Sequence, residues 1–176
     1  MRMTIIFLIG MLVLGCTGNG GGTQMNEKLA KSGDVVSVDY IGTLDDGTVF
    51  DTNIESVAKE AGHPPRDKYE PLTFIIGKGQ VLKKFEETVI GMKVGDEKEV
   101  RIIAEEAYGK PNPKNVLTTD VSEVGGGTPK VGMIIYHNSG SKGIVTKVEG
   151  DNITIDFNHP LAGKDLNFKI TLREIK

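Results

Sequence analysis

Three observations predict an α+β fold. Strand-length runs are separated by Gly- and Pro-bearing turns, one strongly amphipathic helix falls near 81–90, and the strand–helix–strand alternation of a parallel sheet is missing. The expected architecture is an antiparallel sheet with one amphipathic helix packed on it, plus a small all-β segment over 110–156.

The elements follow in chain order. Arg2 precedes "MTIIFLIGMLVL", a twelve-residue apolar run, whereas a membrane-spanning helix needs roughly 20 residues. With Gly15-Cys16 at its end, this reads as a signal peptide over 1–15. The only cysteine of the chain sits at that break, and "VLGC" resembles a prokaryotic lipobox. Lipidation at Cys16 is therefore expected, and with it an extracytoplasmic protein anchored by lipid to the cytoplasmic membrane of a prokaryote. An ordinary signal peptide with an incidental cysteine, or a buried cysteine in a short helix, is the alternative. The Gly-rich stretch that follows, through residue 27, reads as a flexible tether.

"VVSVDYI" (35–41) alternates as a strand with Val36, Val38 and Tyr40 on one face, Asp45-Asp46-Gly47 turns, and "TVF" returns. Thr52-Asn53 reads as an N-cap pair for a short helix in which Ile54, Val57, Ala58 and Ala61 recur at helical spacing, ended by Gly62 and Pro64-Pro65. "LTFII" (72–76) has strand length. In "VLKKFEETVIG" Val81, Phe85 and Val89 fall four apart, with Gly91 as a C-cap candidate and the acids and lysines expected to face water. "KVGDEKEVRII" is a turn and a strand. Beyond Lys110, Pro and Gly punctuate short strands "MIIYH", "GIVTKVEG" and "NITIDF", with "EGDN" as a hairpin turn. "LNFKITLREI" closes the chain with Leu166, Phe168, Ile170 and Leu172 on one face, a strand expected to insert into a sheet begun much earlier.

Composition and motifs exclude several chemistries. A 38% apolar content supports a packed core over 176 residues, and a net charge of −3 with scattered bases does not suit nucleic acid. His63, His137 and His159 lie far apart without metal-ligand spacing, so no metal is expected. "GKGQVL" and "GGGTPKVG" are incomplete as phosphate loops and no Ser sits in a GxSxG elbow. The acid pairs Glu86-Glu87 and Glu105-Glu106 read as solvated faces. What remains is Tyr40, Phe50 and Asp51 around one hairpin, which either fill core or form one wall of a binding pocket.

"DYIGTLDDGTVFD", "PLTFIIGKGQVLKKFEETVIGM", "GDEKEVRIIAEEAYG" and "LNFKITLREI", in that order, resemble the FKBP-type peptidyl-prolyl isomerases over 33–109 and 157–176. The interruption between "AYG" and "NHPLAG" resembles the SlyD-type arrangement, in which an insert-in-flap chaperone domain replaces the flap loop. The resemblance implies an FKBP-like antiparallel half-barrel wrapped on one helix, built from 28–109 and 157–176, with 110–156 as the insert domain. It implies catalytic roles for Tyr40, Asp51, Tyr108 and Phe168, and a substrate pocket completed by Phe50, Leu72, Val81, Leu82 and Phe85. Asp51 would orient the Tyr40 hydroxyl or lie near the twisting amide, with a turn or cap role as the alternative. Leu72 stands where many members have an aromatic and Phe85 where the drug-binding members have a tryptophan floor, which puts tight macrolide binding in doubt. Ile134, Ile135, Tyr136, Ile144 and Val145 would form an apolar patch that captures unfolded chains, or pack against one another.

The implied function is peptidyl-prolyl cis-trans isomerisation with chaperone activity on exported proteins, by a monomer acting on unfolded or partly folded polypeptides with X-Pro bonds. No cofactor, metal or nucleic acid is expected, and the membrane is met only through the N-terminal lipid. A non-catalytic module for Pro-containing segments and a pure holdase chaperone are the alternatives.

Overall fold

The computed structural model describes residues 28–124, 128–137 and 140–176; the expected signal peptide, Cys16 and the tether lie outside them. The elements are β1 (Val35–Thr43), β2 (Val49–Thr52), α1 (Glu55–Glu60), β3 (Leu72–Ile75), α2 (Lys83–Val89), β4 (Glu97–Ile102), β5 (Val116–Asp120), β6 (Ile134–Tyr136), β7 (Lys142–Glu149), β8 (Asn152–Asp156) and β9 (Leu166–Ile175). They form two antiparallel sheets. The first runs β2-β1-β9-β4, with β3 also on β1, and the second runs β5-β8-β7-β6.

In the first sheet, β9 lies between β1 and β4, placing Tyr40 opposite Ile170, and Gly42 and Val100 opposite Phe168. Its alternation therefore presents Leu166, Phe168, Ile170 and Leu172 to α2, and all four are buried. Val36 and Val38 from β1, Phe74 from β3, and Phe85 and Val89 from α2 complete that core.

One edge of β1 is shared. β3 pairs with Val35 to Val38, and β2 with Ile41 to Thr43. The gap between them would leave backbone groups of Val38 and Tyr40 unpaired, a cost that buried peptide groups do not tolerate. Asn53 fills it. Its Oδ1 accepts from the Tyr40 N–H (2.8 Å), and its Nδ2 donates to the carbonyls of Val38 (3.0 Å) and Glu70 (3.1 Å). Asn53 thus works as a sheet staple rather than as part of the cap pair its sequence position indicates. Ile54 is the residue at the helix N-cap, and its N–H donates to Thr52 Oγ1 (3.1 Å).

A second departure concerns Glu86. Its place in a charged helix predicted exposure, yet it is buried, and its Oε1 accepts from the N–H groups of Gly77 (2.7 Å) and Lys78 (3.1 Å). Those amides belong to a tight turn in which Gly77 and Gly79 both have positive φ, and in which the Lys78 N–H also reaches the carbonyl of Ile75 (3.2 Å). The carboxylate ties the turn to α2 and fixes the entry of Val81 and Leu82. Glu87, Glu105 and Glu106 are exposed, as expected of a solvated face.

In the second sheet, β5 has no strand signature in the sequence. "VLTTD" starts apolar and turns polar, and only Thr119 is partly buried, so it carries no two-residue apolar period. Val145, Ile153 and Ile155 form a small core, with Ile135, Val148 and Phe157 against it. Gly143 must be bare, because a Cβ there would come within 2.6 Å of Ile155 and 2.7 Å of Phe157.

The two crossings between the sheets are clasped by one amide. Asn158 Oδ1 accepts from Asn112 N (2.9 Å) and Asn115 Nδ2 (3.2 Å), and its Nδ2 donates to Asn112 O (3.1 Å) and Asp156 Oδ1 (2.8 Å).

Replacing Asn53 by Ala removes both halves of the staple. Leaving such part-buried backbone groups unpaired should lower the unfolding free energy by about 2–3 kcal/mol. Urea unfolding should show a lower midpoint with an unchanged slope.

Candidate functional site

The site grows from the register of β1 on β9. Gly42 lies opposite Phe168, and the space its missing side chain leaves is taken by Phe50: a Cβ at Gly42 would come 2.6 Å from Phe50 Cζ and 3.1 Å from Phe168 Cε1. Phe50 therefore rests edge-on against Phe168, with centroids 5.5 Å apart and planes at 87°. Phe85, rising from α2, meets Phe168 at 5.1 Å and 87° and Tyr40 at 6.0 Å and 85°. These edge-to-face contacts suit the ring quadrupoles and hold each ring by its neighbours.

Between the rings opens a cleft of about 230 Å³ lined by Tyr40, Phe50, Asp51, Leu72, Gln80, Val81, Leu82, Phe85, Tyr108 and Phe168. Every pocket residue named from the sequence is there, and Gln80 joins them. Its Oε1 accepts from Ile75 N (2.8 Å), which ties the turn at 77–80 to β3. Roomier depressions of about 400 and 500 Å³ lie elsewhere, against Arg101 and Lys169 and against Asp45 and Asp165. There the charges pair with each other, Arg101 with Asp45 (2.6 Å) and Asp165 (2.9 Å), and Lys169 with Glu97 (2.8 Å). The aromatic cleft is the better candidate because its walls are apolar and its polar groups few.

At one end of the cleft stands a single ionic unit. Tyr40 donates its hydroxyl hydrogen to Asp51 Oδ2 at 2.6 Å, and Arg66 donates to Asp51 Oδ1 at 2.6 Å. Arg66 also reaches the carbonyl of Thr52 (3.2 Å). Of the roles left open for Asp51, the geometry matches orientation of Tyr40. Burial first, then the hydrogen bond and charge of Asp51, push the Tyr40 hydroxyl well above its usual 10. The hydrogen bond to Asp51 likewise holds Arg66 above its ordinary value. The sequence did not mark Arg66, because it lies in the Pro-interrupted stretch after α1, fifteen residues from its partner.

Tyr108 stands at the mouth, 43% exposed. Its ring lies flat on His159, 3.7 Å between centroids at 8°. The N–H of Leu161 donates to His159 Nδ1 (3.2 Å), fixing that imidazole. The sequence gives no sign of this stack, since a contact across a break of some fifty residues leaves no local trace.

The apolar row proposed for the insert divides. Strand pleating sends Val145, fully buried, and Ile135 into the core of the second sheet, so these two do not belong to an exposed patch. Ile134 (47% exposed) pairs with Ile144, which is partly buried, and Tyr136 (70% exposed) stands on the same face. Val116, exposed and aligned with Ile144 across Asp156, extends that face. Cys16 lies outside the described residues. Among the described residues no cluster of three His, Cys, Asp or Glu could hold a metal ion.

Comparison with known proteins adds the following. The profile of the FKBP-type peptidyl-prolyl cis-trans isomerase family matches residues 26–173. A short-type peptidyl-prolyl cis-trans isomerase of Methanocaldococcus jannaschii is 44% identical over 151 residues, covering 84% of this chain and 95% of that protein. An FKBP-type 16 kDa peptidyl-prolyl cis-trans isomerase of Escherichia coli is 31% identical over 150 residues, covering 82% and 93%. A probable 16 kDa enzyme of the same type from Pseudomonas fluorescens is 36% identical over 110 residues, covering 60% and 73%.

Gly42→Ala should drive a methyl into Phe50 and Phe168, costing about 1–3 kcal/mol of stability by overpacking and narrowing the cleft, read as a lower thermal midpoint with a raised KM. Because the folded state raises the Tyr40 pKa, the associated stability is full below pH 10 and is lost only as pH rises through the higher folded value. In an alkaline ultraviolet titration one of the four tyrosines should ionise last. Asp51→Asn should bring it only part of the way back, since burial is the larger cause.

Proposed function

The chain belongs to the FKBP-type peptidyl-prolyl cis-trans isomerase family, and we propose that its aromatic cleft binds the prolyl residue of an extended polypeptide and lowers the barrier to rotation about the preceding bond. The observation that carries this reading is the set of rings around about 230 Å³, Phe50 and Phe85 edge-on to Phe168 and Tyr40 edge-on to Phe85, a space scaled to one residue, with Asp51 neutralised at its edge by Arg66.

The rotation needs no nucleophile. The peptide C–N bond resists it with a barrier of about 18–20 kcal/mol because resonance gives it double-bond character. Resonance also separates charge between oxygen and nitrogen, which water stabilises and an apolar wall does not. The twisted transition state has lost much of that separation, so a dry cleft raises the planar ground state relative to it. A reduction of about 4 kcal/mol corresponds to roughly a thousandfold acceleration. Phe50, Phe85, Phe168 and the ring of Tyr40 supply the walls, and Leu72, Val81 and Leu82 the rest of the surface. Tyr108 donates its hydroxyl to the substrate carbonyl at the mouth. Asp51 and Arg66 keep the Tyr40 ring in place without leaving an uncompensated charge beside the amide.

Residues 110–156 are read as an insert with chaperone action, and 28–109 with 157–176 as the isomerase domain. Support comes from the separate small core of the second sheet and from the exposed face of Ile134, Tyr136, Ile144 and Val116. Such a face suits transient capture of unfolded apolar segments. Capture beside the cleft raises the local concentration of X-Pro bonds. The "VLGC" break supports lipidation at Cys16 and work on exported proteins at the outer side of the cytoplasmic membrane.

Tyr108→Phe keeps the ring and its stack while removing the donor, and should lower kcat/KM in a proline-limited assay by about tenfold; no change would remove Tyr108 from the mechanism. Deleting residues 111–156 should leave turnover of short peptides near wild type and reduce catalysis of refolding of an unfolded protein by on the order of tenfold or more. The intact mass of membrane-extracted protein should show cleavage before Cys16 and added acyl chains.

A further inference from the structure

Where the chain crosses between its two sheets a second small cavity opens, of about 170 Å³. Pro111, Ile144, Pro160 and Ala162 supply its apolar wall. The polar residues around it already have partners. Both donors of the Asn158 amide and both faces of its oxygen are engaged by Asn112, Asn115 and Asp156. Asp156 Oδ1 also accepts from the Asn158 N–H (2.8 Å), His159 Nδ1 from Leu161 N, and Thr146 Oγ1 donates to the carbonyl of Thr154 (3.3 Å). A ligand entering here meets the hydrocarbon of Pro111, Ile144, Pro160 and Ala162 interleaved with these hydrogen-bonded side chains, Ile144 lying directly across from Asp156.

Position gives the cavity its meaning. His159 lines it, and the same ring stacks on Tyr108, which lines the aromatic cleft. The two cavities are therefore divided by one pair of stacked rings. On the insert side Ile144 belongs both to the cavity wall and to the apolar face of the second sheet. The volume, below the roughly 300–1,000 Å³ of small-molecule pockets, fits one side chain.

We propose that this hinge cavity is a side-chain subsite for the same polypeptide whose proline occupies the aromatic cleft, and that it takes an aliphatic side chain. The inference rests on the isomerase reading of the cleft and adds a specificity to it. A polypeptide held on both sides of the Tyr108–His159 pair is fixed relative to the Tyr108 hydroxyl, so the enzyme favours prolines that have an aliphatic residue at one particular distance along the chain.

The test uses the full chain and a series of soluble peptides with one proline, in which a single leucine is moved stepwise away from it in an otherwise alanine–serine background. A tetrapeptide too short to reach the hinge serves as the reference. With wild type, one leucine position should raise kcat/KM by roughly tenfold over the all-alanine peptide, the size expected from burying one aliphatic side chain. Thr146→Trp and, independently, Ala162→Phe fill the cavity and should abolish that gain while leaving the tetrapeptide rate at the wild-type value. Two substitutions in separate segments, one on β7 and one between β8 and β9, keep the test decisive should one of them fail to fold. Acceleration by wild type that is indifferent to the place of the leucine overturns the subsite and leaves the isomerase reading standing. So does a leucine preference that survives both filled variants. No acceleration of any peptide, the tetrapeptide included, overturns both.

Discussion

The site depends on the pairing of the chain's last strand between its first and its fourth. Phe168 lies opposite Gly42 on one side and Val100 on the other, and no other register brings its ring between Phe50 and Phe85. A slip of one residue would turn Leu166, Phe168, Ile170 and Leu172 away from α2 and expose the alternate row of Asn167, Lys169, Thr171 and Arg173 to the core. The apolar stripe of β9 thus determines both the stability of the sheet and the existence of the cleft. Because β9 lies beyond the second sheet in the chain, the aromatic site forms only after the whole polypeptide has returned to its start.

A second constraint is electrostatic. An apolar cleft that contains a carboxylate would attract water and blunt the effect it relies on. Here Asp51 is held between the Tyr40 hydroxyl and the Arg66 guanidinium, both at 2.6 Å. The charge is balanced at the edge of the cleft, and the tyrosine ring it orients becomes part of the wall. The Pro-bearing segment between α1 and β3 supplies the arginine that makes this possible.

Much of the fold and most of the site were legible in the sequence where one element's own periodicity decides. The alternation of β9, the β1 hairpin and the four-residue spacing of α2 each predicted the buried face that is found. The resemblance then named residues from five segments that the fold brings around one cavity. What escaped depends on partners distant in sequence. Glu86 looked like a solvated helix acid and is an acceptor for two turn amides. Asn53 looked like a helix cap and bridges a break in the β1 edge. β5 is too exposed to show an apolar period. In the insert, reading adjacent apolar residues as one patch ignored the pleat that separates Ile134 and Tyr136 from Ile135 and Val145.

The central claim is that a prolyl ring enters the aromatic cleft and that its amide turns faster there. Exchange spectroscopy on a proline-containing peptide, with the protein's aromatic rings observed in the same sample, tests both halves at once. The account predicts faster cis–trans exchange together with contacts from the proline ring to Tyr40, Phe85 and Phe168. Faster exchange with contacts confined to the insert, or contacts to the three rings without faster exchange, would contradict it.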